Sequence, residues 1–176
     1  MHFILSDAVD SGKSSFVCEL VRDLVDRGFM VRGWTTPARM EGGKKVGHDF
    51  VGVAGGRIHE PIVFTSAEPF EGSFPWRRWH LSGLAFERSD EIEPSADLYV
   101  MDEIGPLELK EGAGFLTAAR RAAKSAKSTL TVLRRGLEGS FVDAVGLTDF
   151  AIFSLASQAE LSSRLKRSLA RPTRKL

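Results

Sequence analysis

The sequence predicts an α/β fold in which a mostly parallel sheet carries helices on both faces. Three observations lead there. A short apolar segment, Phe3-Ile4-Leu5, runs into Ser6-Asp7-Ala8-Val9-Asp10-Ser11-Gly12-Lys13-Ser14-Ser15, and that run opens directly into an amphipathic helical pattern. A second apolar run, Ala96-Asp97-Leu98-Tyr99-Val100-Met101, ends in the paired acids Asp102 and Glu103. Strand-like and helix-like segments alternate along the rest of the chain, and such alternation builds parallel strands through helical crossovers.

In order, residues 3–5 form the first strand. Residues 14–27 form a helix, because Phe16, Val17, Leu20, Val21, Leu24 and Val25 recur at helical spacing before Gly28 ends it. Residues 30–36 read as the second strand. Glu41-Gly42-Gly43-Lys44 marks a turn into a strand over 46–53, and Gly55-Gly56 a turn into another over 57–65 that carries Ile58, Ile62, Val63 and Phe64. Together these make a small antiparallel β-meander inserted into the α/β chain. Residues 66–79 hold Pro69, Gly72 and Pro75 with little periodicity, so they read as a long loop of the kind that covers a site as a lid. A helix over 84–92, the apolar run into Glu103, an Ala-rich helix over 114–127, a strand over 129–133, a short helix over 137–145, a strand over 150–155 and a helix over 158–169 complete the pattern. The expectation is one domain over 1–176, with a basic tail over 166–176, broken by Pro172, whose composition allows disorder.

A chain of 176 residues with 43% apolar content and twelve Phe can bury a substantial core. Its formal charge of +1 excludes strong inferences about partners from net charge, but from Gly112 onward twelve Lys and Arg stand against four Asp and Glu. The segment Arg164-Leu165-Lys166-Arg167, with Arg171, Arg174 and Lys175, could therefore contact nucleic acid, although a solvated helix face explains it more simply. The single Cys18 cannot pair within the chain and reads as a small buried hydrophobe, which suits a reducing compartment. The apolar stretch at the N-terminus is too short for a signal-peptide core, and none approaches the ~20 residues that span a bilayer, so the expected location is cytoplasmic.

The run ending in Gly12-Lys13-Ser14 matches the end of the phosphate-binding template GxxxxGK[ST], the Walker A loop. Such a loop turns backbone N–H groups and a helix N-terminus toward phosphate oxygens; Asp10, Ser11, Gly12, Lys13, Ser14 and Ser15 are the candidates to hold the phosphates. Lys13 would reach the β- and γ-phosphates, and the Ser14 hydroxyl would take a place beside Mg²⁺. A bare Gly-Lys-Ser also suits an ordinary helix cap. The second motif narrows the choice, because an apolar strand ending in Asp102-Glu103 is the Walker B pattern. Asp102 would serve Mg²⁺ with Ser14, and Glu103 would orient or deprotonate an attacking water. Ligands of open α/β sheets lie beyond the carboxyl ends of the strands, where both motifs would sit.

Met101-Asp102-Glu103-Ile104-Gly105-Pro106-Leu107-Glu108-Leu109 resembles the DE[IV]GxxEL signature of the cancer-related and thermophile-type nucleoside-triphosphatases. The stretch from Gly33-Trp34-Thr35-Thr36-Pro37-Ala38-Arg39 to Gly42-Gly43-Lys44-Lys45-Val46-Gly47-His48-Asp49-Phe50 is similar to the Gly-rich hairpin after that family's second strand. The resemblance spans most of the chain, from Phe3 to about Leu155, and is weakest from Glu60 to Pro94. It implies a P-loop NTPase fold of three α/β/α layers related to nucleotide kinases. It also implies Mg²⁺-dependent hydrolysis of ATP, GTP and other nucleoside triphosphates, slow and tolerant of the base. Under it Lys13, Ser14, Asp102 and Glu103 inherit their roles, Arg134 resembles a family Arg that contacts phosphate, and Arg39 is a weaker candidate for the same duty. Trp34, Trp76 and Trp79 suit either a core or a surface on which a base stacks.

Asp7 and Asp10 depart from the family loop, which is usually glycine-rich there. A carboxylate ~4 Å from a phosphate charge would cost about 4 kcal/mol at an effective dielectric of 20, unless it points outward or recruits Mg²⁺. Two alternative functions follow from the sequence: a nucleotide or small-molecule kinase, and a nucleotide-sensing module whose degenerate loop binds without turnover. The sequence identifies no protein partner.

Overall fold

The strand β1 (His2–Asp7) is apolar on both faces because it lies inside the sheet, with Phe3 to Ser6 buried. The structure, a computed structural model, describes residues 1–169. A loop over 8–12 leads into α1 (Lys13–Asp26), whose Val17, Leu20, Val21 and Leu24 face inward at helical spacing. The chain continues through β2 (Val31–Thr35), β3 (Ala38–Glu41), β4 (Lys44–Ala54), β5 (Arg57–Ile58), β6 (Ile62–Ser66), β7 (Ser73–Trp76) and β8 (Trp79–Ser82). Next come α2 (Gly83–Glu91), β9 (Leu98–Ile104), α3 (Pro106–Glu111), α4 (Leu116–Ser125), β10 (Ser128–Arg134), α5 (Glu138–Val145), β11 (Phe150–Phe153), a 3₁₀ turn (Leu155–Ser157) and α6 (Gln158–Leu169).

The strands form one sheet in the order β11-β1-β10-β9-β2-β4-β6-β8-β7, with β3 and β5 both paired to β4. From β11 to β2 every pairing is parallel, and from β4 onward every pairing is antiparallel. The meander thus prolongs the sheet. Side chains alternate across it: Phe3 and Leu5 join α1 and α6 in one core, whereas Ile4 joins α2, α4 and α5 in the other. Trp34, fully buried, anchors the second core, with ring centroids 4.7 Å from Phe115, 6.0 Å from Tyr99 and 6.2 Å from Phe50. It belongs to the core and not to a base-stacking surface.

Two expectations for the meander need correction. Residues 57–65 are not one strand: β5 stops at Ile58 and β6 starts at Ile62, with Pro61, which has no N–H for a ladder, in the gap. Residues 66–79 are not a structureless loop, because β7 and β8 form a hairpin in which Trp76 faces Trp79 across the two-residue turn Arg77-Arg78. Arg77 takes φ 56°, the first-position conformation for which tight hairpin turns ordinarily recruit Gly. Pro75 is tolerated because β7 is the last strand of the sheet.

The basic segment is partly spent within the fold. Arg164 pairs with Glu160 at 2.8 Å and lies over the Phe153 ring, and Lys166 pairs with Asp23 at 2.9 Å. Residues 166–169 form the last turn of α6; the remainder of the expected tail, with Arg171, Arg174 and Lys175, lies outside the described residues. Cys18 is half-buried, and burial pushes its thiol above the usual range, which suits an unreactive packing role. Among the described residues no helix is long and apolar enough to cross a membrane.

Candidate active site

The loop over 8–12 leaves the carboxyl end of β1 and turns at Gly12, whose φ of 97° is left-handed, to start α1. No side chain caps this helix, and no acidic residue stands in its first turn. Its N-terminal N–H groups therefore keep their donor capacity and their positive dipole end for an anion. Lys13 lies folded over the loop, donating to the carbonyls of Asp7 (3.2 Å) and Ala8 and to Ser11 Oγ (3.3 Å). Partial burial pushes its ammonium down, and the charges of Glu103, Asp102 and Asp7 oppose that shift. A lysine held by neutral carbonyls can exchange them for phosphate oxygens, a stronger charge-assisted partner.

Asp102 stands at the end of β9, fully buried. Its Oδ2 accepts the Thr36 N–H at 2.9 Å, and its Oδ1 accepts the Glu103 N–H at 2.9 Å. The Trp34 indole donates to its carbonyl at 2.8 Å, so the aromatic core fixes the backbone that aims the carboxylate. Burial pushes the Asp102 carboxyl up, the neighbouring Glu103 charge adds to this, and hydrogen bonds from the Thr36 backbone and the Ser14 side chain oppose it. The Ser14 hydroxyl thus lies beside the Asp102 carboxyl.

Glu103 takes φ 61°, a left-handed conformation that costs a non-glycine residue ~1–3 kcal/mol. The twist separates the two acids: Asp102 stays buried while 41% of the Glu103 side chain is accessible through the cavity. Desolvation within the cavity still raises the Glu103 carboxyl, against Lys45, Arg134 and Lys13 in that order. His48 Nε2 lies 3.8 Å from Glu103 Oε1, but burial, then the Lys45 charge, pushes the imidazole down to about 4. At neutral pH the ring is therefore uncharged, and the contact is not an ion pair.

These groups share a cavity of about 910 Å³. One wall is the loop from Val9 to Ser15, and the floor is the ends of β9 and β10 with Asp102, Glu103 and Arg134. The opposite wall comes from the meander, with Lys45, His48 and the Trp76 to Trp79 turn. Arg134 is exposed in this cavity and acts on both Lys13 and Glu103. Arg39 is turned elsewhere, 3.8 Å from both Glu41 and Asp49, outside the cavity lining.

The two anomalous loop carboxylates differ. Asp7 accepts the N–H groups of Ala8 (2.8 Å) and Leu155 (3.1 Å) and pairs with Arg135 at 2.6 Å. It faces away from the cavity, the backbone bonds and then Arg135 hold its carboxyl below the usual range, and its φ is not left-handed, so glycine is not required there. Asp10 lines the cavity at φ 57° and is paired with Lys45, which depresses its carboxyl. Sequence reasoning did not pick out Lys45, His48, Arg135 or Leu155, because these residues reach the loop only through tertiary pairing.

Among the described residues no cluster of three His, Cys, Asp or Glu is arranged around a metal. Mg²⁺ does not need one, since it commonly binds through one or two carboxylates together with water and substrate phosphates. The hard oxygens of Ser14 and of the buried Asp102, which forms no salt bridge among the described residues, fit that ion.

A family described as NTPase matches residues 2–160. Among curated relatives, the nucleoside-triphosphatase THEP1 of Methanopyrus kandleri is 31% identical over 121 residues, covering 68% of this chain and 66% of that protein. The THEP1 of Thermofilum pendens is 30% identical over 133 residues, covering 75% and 72%. In structure, a human cancer-related nucleoside triphosphatase aligns over 97% of this chain and 99% of its own with a TM-score of 0.68 at 20% identity. THEP1 from the hyperthermophile Aquifex aeolicus aligns over 97% and 100% with a TM-score of 0.60 at 16% identity. These two likenesses establish the shared P-loop NTPase fold. With a match that runs from β1 into α6 and takes in both the loop and the Asp102-Glu103 strand, the chain belongs to the NTPase family.

Proposed function

We propose that this protein is a Mg²⁺-dependent nucleoside triphosphatase that cleaves ATP, GTP and other nucleoside triphosphates to the diphosphate and phosphate, slowly and with little regard to the base. The observation that carries the proposal is the convergence of Lys13, Ser14, Asp102, Glu103 and Arg134 on one cavity at the carboxyl ends of β1, β9 and β10. The grip lies on phosphate and not on the base, which supports tolerance of the base. The names of the THEP1 relatives point the same way.

The N–H groups of the loop and of α1 would bind the phosphate chain, and Lys13 would leave its carbonyl partners to neutralise the β- and γ-phosphates. Ser14 and Asp102 would hold Mg²⁺, which when bound neutralises charge on the phosphate oxygens. Glu103, aimed into the cavity, would orient water toward the γ-phosphorus and take its proton as the bond to the bridging oxygen breaks. Arg134 would supply charge to the phosphoryl group in flight. Asp7 and Asp10 together motivated the reading as a non-hydrolysing sensor; Asp7 is paired with Arg135 outside the cavity, and Asp10, which lines the cavity, is paired with Lys45. A reducing cytoplasm suits the single unpaired Cys18.

The test is phosphate release from each triphosphate, with and without Mg²⁺, beside Lys13→Ala. Turnover should require Mg²⁺ and vanish in the variant with the fold intact by circular dichroism. Unchanged turnover in Lys13→Ala would remove the loop from the reaction.

A further inference from the structure

The cavity has more wall than a triphosphate uses. Strand order separates its two halves: the loop follows β1, Glu103 lies next to the last residue of β9, and the β7–β8 hairpin lies at the edge beyond β2, β4 and β6. The triphosphate reading above places the γ-phosphate nearest Glu103, so the nucleoside extends away from that residue, over the β1 side. On the other side of Glu103 the cavity is lined by Phe64, Trp76, Arg77, Arg78, Trp79 and Leu81. Phosphates have no use for indole faces. Trp76 and Trp79 are only half-buried, and the guanidiniums of Arg77 and Arg78 lie 5.6 and 5.1 Å from the centroids of the Trp76 and Trp79 rings. Neither Arg forms a salt bridge among the described residues, and both are exposed on a two-residue turn.

The geometry points to a second small-molecule site in this half of the cavity, for a compound that joins a planar aromatic ring to an anionic group, the ring stacked on Trp76 or Trp79 and the anion held by Arg77 and Arg78. Aromatic faces hold rings with little regard to ring identity, and Arg matches phosphate and carboxylate oxygens in pairs. A nucleoside monophosphate has both parts at a suitable separation. Its anionic group would lie on the side of Glu103 from which a second reactant approaches the γ-phosphate. The placement rests on the triphosphate reading above.

The experiment titrates AMP, GMP, CMP and UMP by calorimetry into the wild-type protein, free and saturated with Mg²⁺ and a non-hydrolysable ATP analogue. At least one monophosphate should bind the analogue-saturated protein, and the matching nucleoside and inorganic phosphate should each bind ~10-fold more weakly or worse. The double variant Arg77→Ala, Arg78→Ala, both surface positions, should weaken the monophosphate ~10-fold or more while the analogue's affinity stays within about twofold. Replacing Trp79 with Leu should weaken the monophosphate by a similar factor. Competitive displacement of the monophosphate by the analogue, no binding by any of the four, or undiminished binding to the Arg double variant would each overturn the second site. Failure of the analogue to bind would instead overturn the triphosphate reading, and the monophosphate titration of the free protein would still decide the hairpin's role.

Discussion

At the scale of single residues, the charges around the loop rest on partners that a phosphate can replace. Lys13 rests on carbonyls and Asp10 rests on Lys45 at the tip of the loop. Asp10→Gly would remove a negative charge from the cavity, free Lys45, and relieve a left-handed φ of 57° that glycine adopts without strain. Triphosphate binding should tighten, by ~10-fold if about 1.4 kcal/mol survives screening. Asp7→Gly should go the other way, because it deletes the acceptor that ties the loop to Arg135 and to the Leu155 N–H. Equal effects of the two variants in equilibrium titrations would show that charge alone matters and the anchoring does not. Glu103→Gln keeps the size and loses the base: nucleotide and Mg²⁺ binding should persist while single-turnover hydrolysis slows ~10²-fold or more. A variant that hydrolyses at the wild-type rate would move the proton elsewhere.

At the scale of elements, the site is held by backbones that approach unusually closely. Gly33 in β2 has φ 109°, and a Cβ there would stand 1.9 Å from the Val100 carbonyl oxygen in β9. Gly33→Ala should therefore push β2 from β9, displacing Trp34 and the Thr36 N–H that hold Asp102. The expected loss is ~3 kcal/mol or more, read as a lower urea midpoint, with weaker Mg²⁺-nucleotide binding in what remains folded. An unaltered midpoint would mean that the two strands have slack. The same close packing explains what the sequence could and could not reveal. The helix over 158–169 and the turns at Gly42-Gly43 and Gly55-Gly56 were legible, because helical spacing and turn glycines are local signals. The β7–β8 hairpin was not, because its turn uses Arg77 where a glycine would announce it and its edge strand contains Pro75. Lys13, Ser14 and Asp102 could be read from motif order, whereas the roles of Lys45, His48 and Arg135 depend on pairings across 35 to 128 residues of chain.

At the scale of the molecule, a site built from recessed carboxylates sets the fold against its own ionisation, and Glu108 makes that measurable. It is almost fully buried, 3% exposed, and its two oxygens accept the Gly105 N–H at 2.9 Å and the Phe115 N–H at 3.1 Å, tying the turn after Glu103 to the start of α4. Burial pushes its carboxyl up to about 7 from an ordinary 4.5, although both backbone bonds pull it down. A folded-state value above the unfolded one means that the folded chain holds a proton the unfolded chain has released, so the stabilisation is complete below pH 4.5 and is lost as pH rises to about 7. Other groups titrate with the opposite sign, among them Asp10 and Glu138, whose carboxyls are depressed by Lys45 and Ser6 respectively. The useful quantity is therefore the stability of the wild type minus that of Glu108→Gln, in which those contributions cancel. Glutamine resembles the protonated acid and cannot ionise, so the difference should fall by ~2–3 kcal/mol between pH 5 and pH 8 in urea denaturation series. A difference that stays flat would mean that the two N–H donors already hold Glu108 ionised in the fold, and that its burial carries no proton linkage.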